Sequence, residues 1–178
     1  MISMAPTELS GAIERFCCCQ NHDIEHFLKH NAIDFERRGY CTTYLYVDLD
    51  TFDIAGYFSL THKALSIEGF SKEKKKDLTG SKEAELAPFI LLGQLGKYKR
   101  LEEDGTITSS PISGDRMMKD VFSIIALANQ YILNRRILVE CDEEEHLLSF
   151  YMDGHKFRML ECEDGKCTLY LKLEAPTF

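Results

Sequence analysis

Several residues in this chain have the types and spacings that chemistry requires. Ser113 and Gly114 open an apolar run at helical spacing. A helix entered through a Ser-Gly step offers its first amides and a hydroxyl to an anion such as a pyrophosphate. The alternative is an ordinary helix cap. Gly93 and Gly96 fall in an otherwise apolar stretch of strand type, Ala87 to Gly96, where glycine packs poorly. A ligand lying against the backbone accounts for both, and a strand that merely tolerates glycine near its end is the other reading. His22, His26 and His30 recur one helical turn apart and could in principle ligate zinc or nickel. With no Glu in a His-Glu-x-x-His arrangement, the stripe makes a poor tetrahedral shell and reads as a solvated polar face. Cys17-Cys18-Cys19 lacks a second ligand pair, and Cys162 and Cys167, which bracket a turn, are a weak metal or disulfide signal. No metal site is expected. No Ser/His/Asp order, Walker loop or dinucleotide fingerprint competes.

The elements that would position these residues follow from periodicity. Met117, Met118, Val121, Ile124, Ile125 and Ala128 share one face of a helix beginning at Gly114, with Ser113 as N-cap. Arg136 to Cys141 is a β-branched run of strand length. Glu143 to Tyr151 returns to helical spacing and stops at Asp153-Gly154. Upstream, Asp23 to Arg38 is expected as one helix, and residues before Asp23 as a first strand or a loose arm. Thr42 to Asp48 and Phe52 to His62 pair as a hairpin, with Gly56 marking a bulge or a close backbone approach. Ser71 to Gly80, charged and polar, suits a short helix. Tyr98 to Ser113 is a long loop. Phe157 to Glu161 and Thr168 to Lys172 flank the turn Glu163-Asp164-Gly165-Lys166.

Composition sets the outer bounds. A chain of 178 residues with 44% hydrophobic and 28% charged residues is expected to form one domain spanning 1–178. No apolar run approaches the roughly 20 residues that span a bilayer, and the opening Met1-Ile2-Ser3-Met4 has no charged region or apolar core of a leader. Seven cysteines without secretory signals point to free thiols in a cytoplasmic setting. The net charge of −8 opposes sequence-independent nucleic-acid binding. Lys72, Lys74, Lys75 and Lys76 form a local basic patch, read as a solvated loop.

Taken in order, the elements resemble the GNAT superfamily of N-acetyltransferases. The resemblance rests on the helix entry Gly114-x-x-Met117-Met118, the strand Ile137-Leu138-Val139-Glu140-Cys141, and Phe150-Tyr151 ahead of Gly154 and Phe157. Phe16 to Asn21, Phe27-Leu28, Arg38, Thr43-Tyr44 and Ile54-x-Gly56-Tyr57-Phe58 resemble the opening of a branch that includes the acetyltransferase toxins of toxin–antitoxin pairs. Only the stretch between Ser66 and Glu85 stands outside it. The resemblance implies an α/β fold: a mixed, mostly antiparallel twisted sheet flanked by helices, with central strands that splay around acetyl-CoA.

It also implies chemistry. Backbone groups of Leu95, Gly96 and Lys97 would hold the pantetheine arm and polarise the acetyl carbonyl. Ser109, Ile112, Ser113, Gly114 and Asp115 would take the place of the pyrophosphate loop. That loop normally reads Gln/Arg-x-x-Gly-x-Gly/Ala; this chain keeps only the last glycine, Gly114. Tyr151 matches the general acid that protonates the departing thiolate, a role suited to a phenol; a tyrosine packed at a helix end is the plainer alternative. Glu140 and a water chain are both candidates for the base. Where relatives carry Asn, this chain has Glu144. The implied activity is acetyl transfer from acetyl-CoA to a primary amine of a small molecule, a protein or an aminoacyl-tRNA. The alternative is a catalytically degenerate GNAT module that binds acyl-CoA or a partner protein. The toxin-like opening points to tRNA and the acidic charge away from it. A homodimer stays open, and no membrane partner is implied.

Overall fold

In the computed structural model, residues 6–132 and 134–173 are described. The chain gathers into two compact units, one of residues 1–60 and 93–124, the other of 61–92 and 125–178. Six strands follow the order β1-β2-β3-β6-β8-β7, with a separate two-stranded ribbon β4-β5. The result is a mixed, mostly antiparallel α/β sheet flanked by helices.

The first unit opens on a helix, α1 (Pro6–Arg15), and not on the strand or loose arm expected there. Leu9, Ala12, Ile13 and Phe16 recur at i, i+3, i+4 and i+7, which is a helical stripe. Ala12, Ile13 and Phe16 are buried with Leu28, Ile54 and Tyr57. Next come α2 (His22–His26), a π-helical turn over Phe27–Asn31, and α3 (Ala32–Arg37). The expected single helix is therefore interrupted: the Ala32 amide donates to the Phe27 carbonyl five residues back. Asn21 caps α2, its Oδ1 accepting from the amides of Asp23 at 3.0 Å and Ile24 at 3.2 Å.

β1 (Thr42–Val47) and β2 (Ile54–Ser66) pair antiparallel. β2 starts two residues later than expected because the turn is longer. The Asp48 carboxylate accepts from the amides of Asp50 and Thr51, and Phe52 takes a φ of 58°. The register slips between Tyr46 and Val47, whose partners are Gly56 and Ile54, so the unpaired residue is Ala55 and the bulge lies beside Gly56. β3 (Leu86–Lys97) runs into the ribbon of β4 (Lys99–Leu101) and β5 (Ile107–Ser109), so the expected loop is partly strand. α5 (Gly114–Ala128) begins where expected and buries Met117, Met118, Val121 and Ile125.

In the second unit, α4 (Lys72–Thr79) is capped by Ser71 and ended by Gly80 at a φ of 86°. Its Leu78 packs with Ile67, Ala87, Phe89, Leu138 and Tyr170. β6 (Arg136–Asp142) pairs parallel with β3 through Ile90, Leu91 and Leu92, and antiparallel with β8 (Lys166–Lys172). α6 (Glu145–Leu148) passes into a second π-helical turn over Ser149–Gly154, so this helix too is not continuous α. β7 (Arg158–Glu163) and β8 form the expected hairpin. Asp164 and Gly165 have φ of 50° and 75°, the pair of positive angles that a tight two-residue turn needs. The expectation of free thiols fails at this hairpin, where Cys162 and Cys167 are disulfide-bonded. They are direct cross-strand partners with Cα atoms 4.1 Å apart, close enough for a bridge. Cys17, Cys18, Cys19, Cys41 and Cys141 are free. Among the described residues, no helix is long and apolar enough to cross a membrane.

Candidate active site

The end of β3 and the entrance of α5 both lie in the first unit. The Tyr98 amide donates to the Ala55 carbonyl at 2.9 Å, and the Ser110 amide returns to the Tyr98 carbonyl at 3.0 Å. These bonds tie the loop before α5 to the strand end. Ser110 Oγ then accepts from the Ile112 amide at 3.2 Å. Ser113 Oγ accepts from the Arg116 amide at 3.1 Å, and the Ser113 carbonyl takes the Met117 amide, so Ser113 is the N-cap as the sequence suggested. Gly114 and Asp115 occupy the first turn, where amides have no acceptor within the helix and an anion is favoured.

Gly56 brings three of the expected residues together. A Cβ added there would lie 3.0 Å from the Gly96 carbonyl oxygen, 3.4 Å from Lys97 Cα and 3.5 Å from Ile112 Cγ2. The loop residue Ile112 and the strand end Gly96-Lys97 thus meet over a position where a side chain would crowd the Gly96 carbonyl. Gly96 has a further constraint, since its added Cβ would fall 2.2 Å from Ile24 Cγ2. The expectation tied this glycine to a ligand against the backbone, yet the space at its Cα is filled by α2. A ligand there would meet only the peptide groups of Leu95–Lys97. At Gly93 an added Cβ would lie 3.2 Å from Ser59 Oγ.

Ser109 stands apart from that cluster, at the end of β5, and lines a cavity of about 440 Å³. Its walls include Arg15, Asp53, Tyr98, Arg100 and Ser110. Arg15 is held by Asp53 at 2.6 Å. Sequence reasoning also missed Arg116. Its guanidinium, on the first turn of α5, pairs with Asp120 at 3.1 Å, and Asp120 accepts from the Tyr46 hydroxyl at 2.9 Å. The i, i+4 spacing of Arg116 and Asp120 was the available signal.

Tyr151 belongs to the second unit, inside the π-helical turn. It is 7% exposed, edge-on to Phe150 and Phe157 with ring centroids 5.0 and 5.6 Å away. Its carbonyl accepts from the amides of His155 and Phe157, which fixes the turn around it. Burial pushes the phenol above its ordinary value of 10, and the neighbouring Cys141 adds to the rise. Cys141 was not anticipated as a neighbour of the tyrosine. Glu140 alternates to the other face of β6 from Cys141 and is ion-paired with Lys63 at 2.5 Å. Glu144, at the N-cap of α6, makes no capping bond and meets His146 Nδ1 at 3.2 Å.

No family model and no curated protein matches the chain. Solved structures do. A tyrosine-to-phenylalanine mutant of KacT aligns with a TM-score of 0.70 at 21% identity, covering 97% of this chain and 94% of that one. A structure described as a bacterial toxin gives 0.69 at 16%, covering 96% and 86%. AtaT complexed with acetyl-methionyl-tRNAfMet gives 0.67 at 18%, covering 90% and 86%. The fold is the GNAT fold. AtaTR bound with acetyl-CoA shares it as well, with a TM-score of 0.66 at 18% identity. Within this GNAT fold, Ser113 and Gly114 begin the helix that follows the ribbon, and Tyr151 lies in the π-helical turn that closes the helix following β6.

Proposed function

We propose that this protein is an acetyl-CoA-dependent N-acetyltransferase acting on a primary amine. The observation that carries the reading is the conjunction of the GNAT fold with a serine-capped α5 entrance, tied by backbone bonds to the end of β3. The residues at the α5 entrance fit the cofactor's phosphates in kind: first-turn amides of Gly114 and Asp115, the hydroxyl of Ser113, and the guanidinium of Arg116 nearby. Ser109, on the wall of the separate cavity, is the weakest of the expected contacts. Acetyl-CoA would supply an acetyl thioester. A neutral amine attacks the carbonyl carbon, the C–N bond forms, and the C–S bond breaks. Peptide groups of Leu95–Lys97 serve the oxygen as negative charge develops there. Tyr151, kept protonated by burial, gives its proton to the thiolate. The ion pair with Lys63 makes Glu140 a poor base, and solvent is the better acceptor for the amine's proton.

Acetyl-CoA titrated into the protein by calorimetry should bind in the micromolar range. Tyr151→Phe should keep that affinity and lower kcat by about 10²–10⁴-fold, the usual worth of a general acid. A variant that turns over at the parent rate removes Tyr151 from the chemistry. Aminoacyl-tRNA is the acceptor class suggested by AtaT, which is seen with acetyl-methionyl-tRNAfMet. The second reading, a degenerate acyl-CoA-binding module, draws on the loop, where Ser109, Ile112 and Ser113 replace the usual glycine pattern. Binding without turnover of any amine would favour it.

A further inference from the structure

Three groups of metal-ligand type converge at the turn end of the β7–β8 hairpin. Cys162 and Cys167 face each other across the strands. Their sulfurs and a carboxylate oxygen of Glu143 all lie within 4.8 Å of one another. The backbone sets this arrangement. The Glu143 amide donates to the carbonyl of Gly165, the turn glycine, at 2.8 Å, so the residue after β6 is fastened to the hairpin that carries both cysteines. Cys167 is fully buried, while Glu143 is exposed. The cluster therefore has a fixed inner ligand and an open outer side.

We propose that, once the Cys162–Cys167 disulfide is reduced, Cys162, Cys167 and Glu143 form a binding site for zinc or a similar thiophilic divalent cation. Two thiolates with one carboxylate select zinc over magnesium or calcium, which prefer oxygen alone. Zinc–sulfur bonds of about 2.3 Å at a tetrahedral angle put two sulfurs about 3.8 Å apart. The sulfurs are bonded to each other here, and on directly opposed strand residues they can open to that spacing once the bond is cut. Three protein ligands leave the fourth position to water on the exposed side. The balance is simple. A dithiol reductant supplies two electrons and two protons to the S–S bond and becomes a disulfide itself. The cation then displaces the two thiol protons, so affinity rises with pH. The same atoms give two states, a closed disulfide and an ion-holding dithiolate. Neither depends on acetyl transfer.

The test uses the whole chain, stripped of metal by a chelator and kept anaerobic. Zinc is titrated against a chromophoric competitor, with and without prior reduction. Reduced protein should take up one equivalent per chain and oxidised protein should take up none at this site. Glu143→Gln, on an exposed side chain that leaves both sulfurs in place, should weaken binding at least about tenfold, the scale on which even outer-shell partners act. Cys167→Ser should abolish it. Cobalt in place of zinc should show a thiolate charge-transfer band whose intensity corresponds to two sulfurs. Failure of the reduced protein to bind a stoichiometric ion overturns the proposal. So does uptake that both variants leave unchanged, which would put the ion at the histidine stripe or at Cys17–Cys19. The Glu143→Gln result stands even if Cys167→Ser does not fold.

Discussion

Gly96 carries a packing constraint that its place in the sequence does not name. The sequence marks it as a glycine where a strand should be packed, and a ligand was one way to explain that. In the structure Ile24 occupies the place of the missing side chain. Ile24 is β-branched and stiff, so a methyl at 96 cannot be absorbed by a rotamer change. Gly96→Ala should cost about 1–3 kcal/mol, the usual penalty of overpacking. Ile24→Ala in the same chain should recover part of that loss, and thermal melts of the two singles and the double would show the non-additivity. Glu25, the next residue, sits among three donors. Its carboxylate accepts from Lys29 Nζ at 2.7 Å and from the Cys18 amide at 2.9 Å, and the Lys29 bond is the largest cause of a pKa held below the ordinary 4.5. A depressed carboxylate stabilises the fold above that ordinary value and loses its contribution as pH falls through the native one. Denaturation melts from pH 6 downward should therefore fall less steeply below about pH 4.5 for Glu25→Gln than for the parent. The i, i+4 spacing of Glu25 and Lys29 was legible, but the bonds from Cys17 and Cys18 were not, because those residues lie across a turn from it.

At the scale of elements, what was legible had a local cause. Ser71 and Ser113 cap the helices that follow them, Gly80 ends one, and Asp164-Gly165 turns a hairpin, each a preference written in one or two residues. Ser113→Ala should lower stability by about 0.5–2 kcal/mol, as lost caps do, and should also weaken acetyl-CoA binding if the α5 entrance holds the pyrophosphate; paired melts and calorimetry separate the two effects. α1 was legible and overlooked, since its apolar stripe is regular. The two π-helical turns, at Phe27–Asn31 and Ser149–Gly154, were not. A π turn changes hydrogen-bond partners by one residue without a residue type that signals it. The ribbon β4–β5 was hidden for a related reason. Its strands are three residues each, too short for alternation to register.

At the scale of the whole molecule, the fold was legible because several weak motifs occurred in one order, which sequence identities of 16–21% to solved neighbours could not supply alone. The acceptor was not legible, and charge bears on it directly. A net charge of −8 opposes a polyanion, while Lys72, Lys75 and Lys76 on α4 offer a local exception, with Lys74 resting on the Tyr170 ring. If aminoacyl-tRNA is the acceptor, binding should be measurable at 50 mM salt and fall steeply by 200 mM, by about 10³-fold or more for six phosphate contacts. No binding at the lower salt removes that acceptor. The division of the chain has a separate consequence for how the molecule is made. The first unit takes residues 1–60 and 93–124, and the second takes 61–92 and 125–178. Neither is a continuous stretch of chain. On the ribosome the opening 60 residues must wait for a later segment before their unit is complete, and a nascent chain halted near residue 92 would hold two unfinished halves and no finished one.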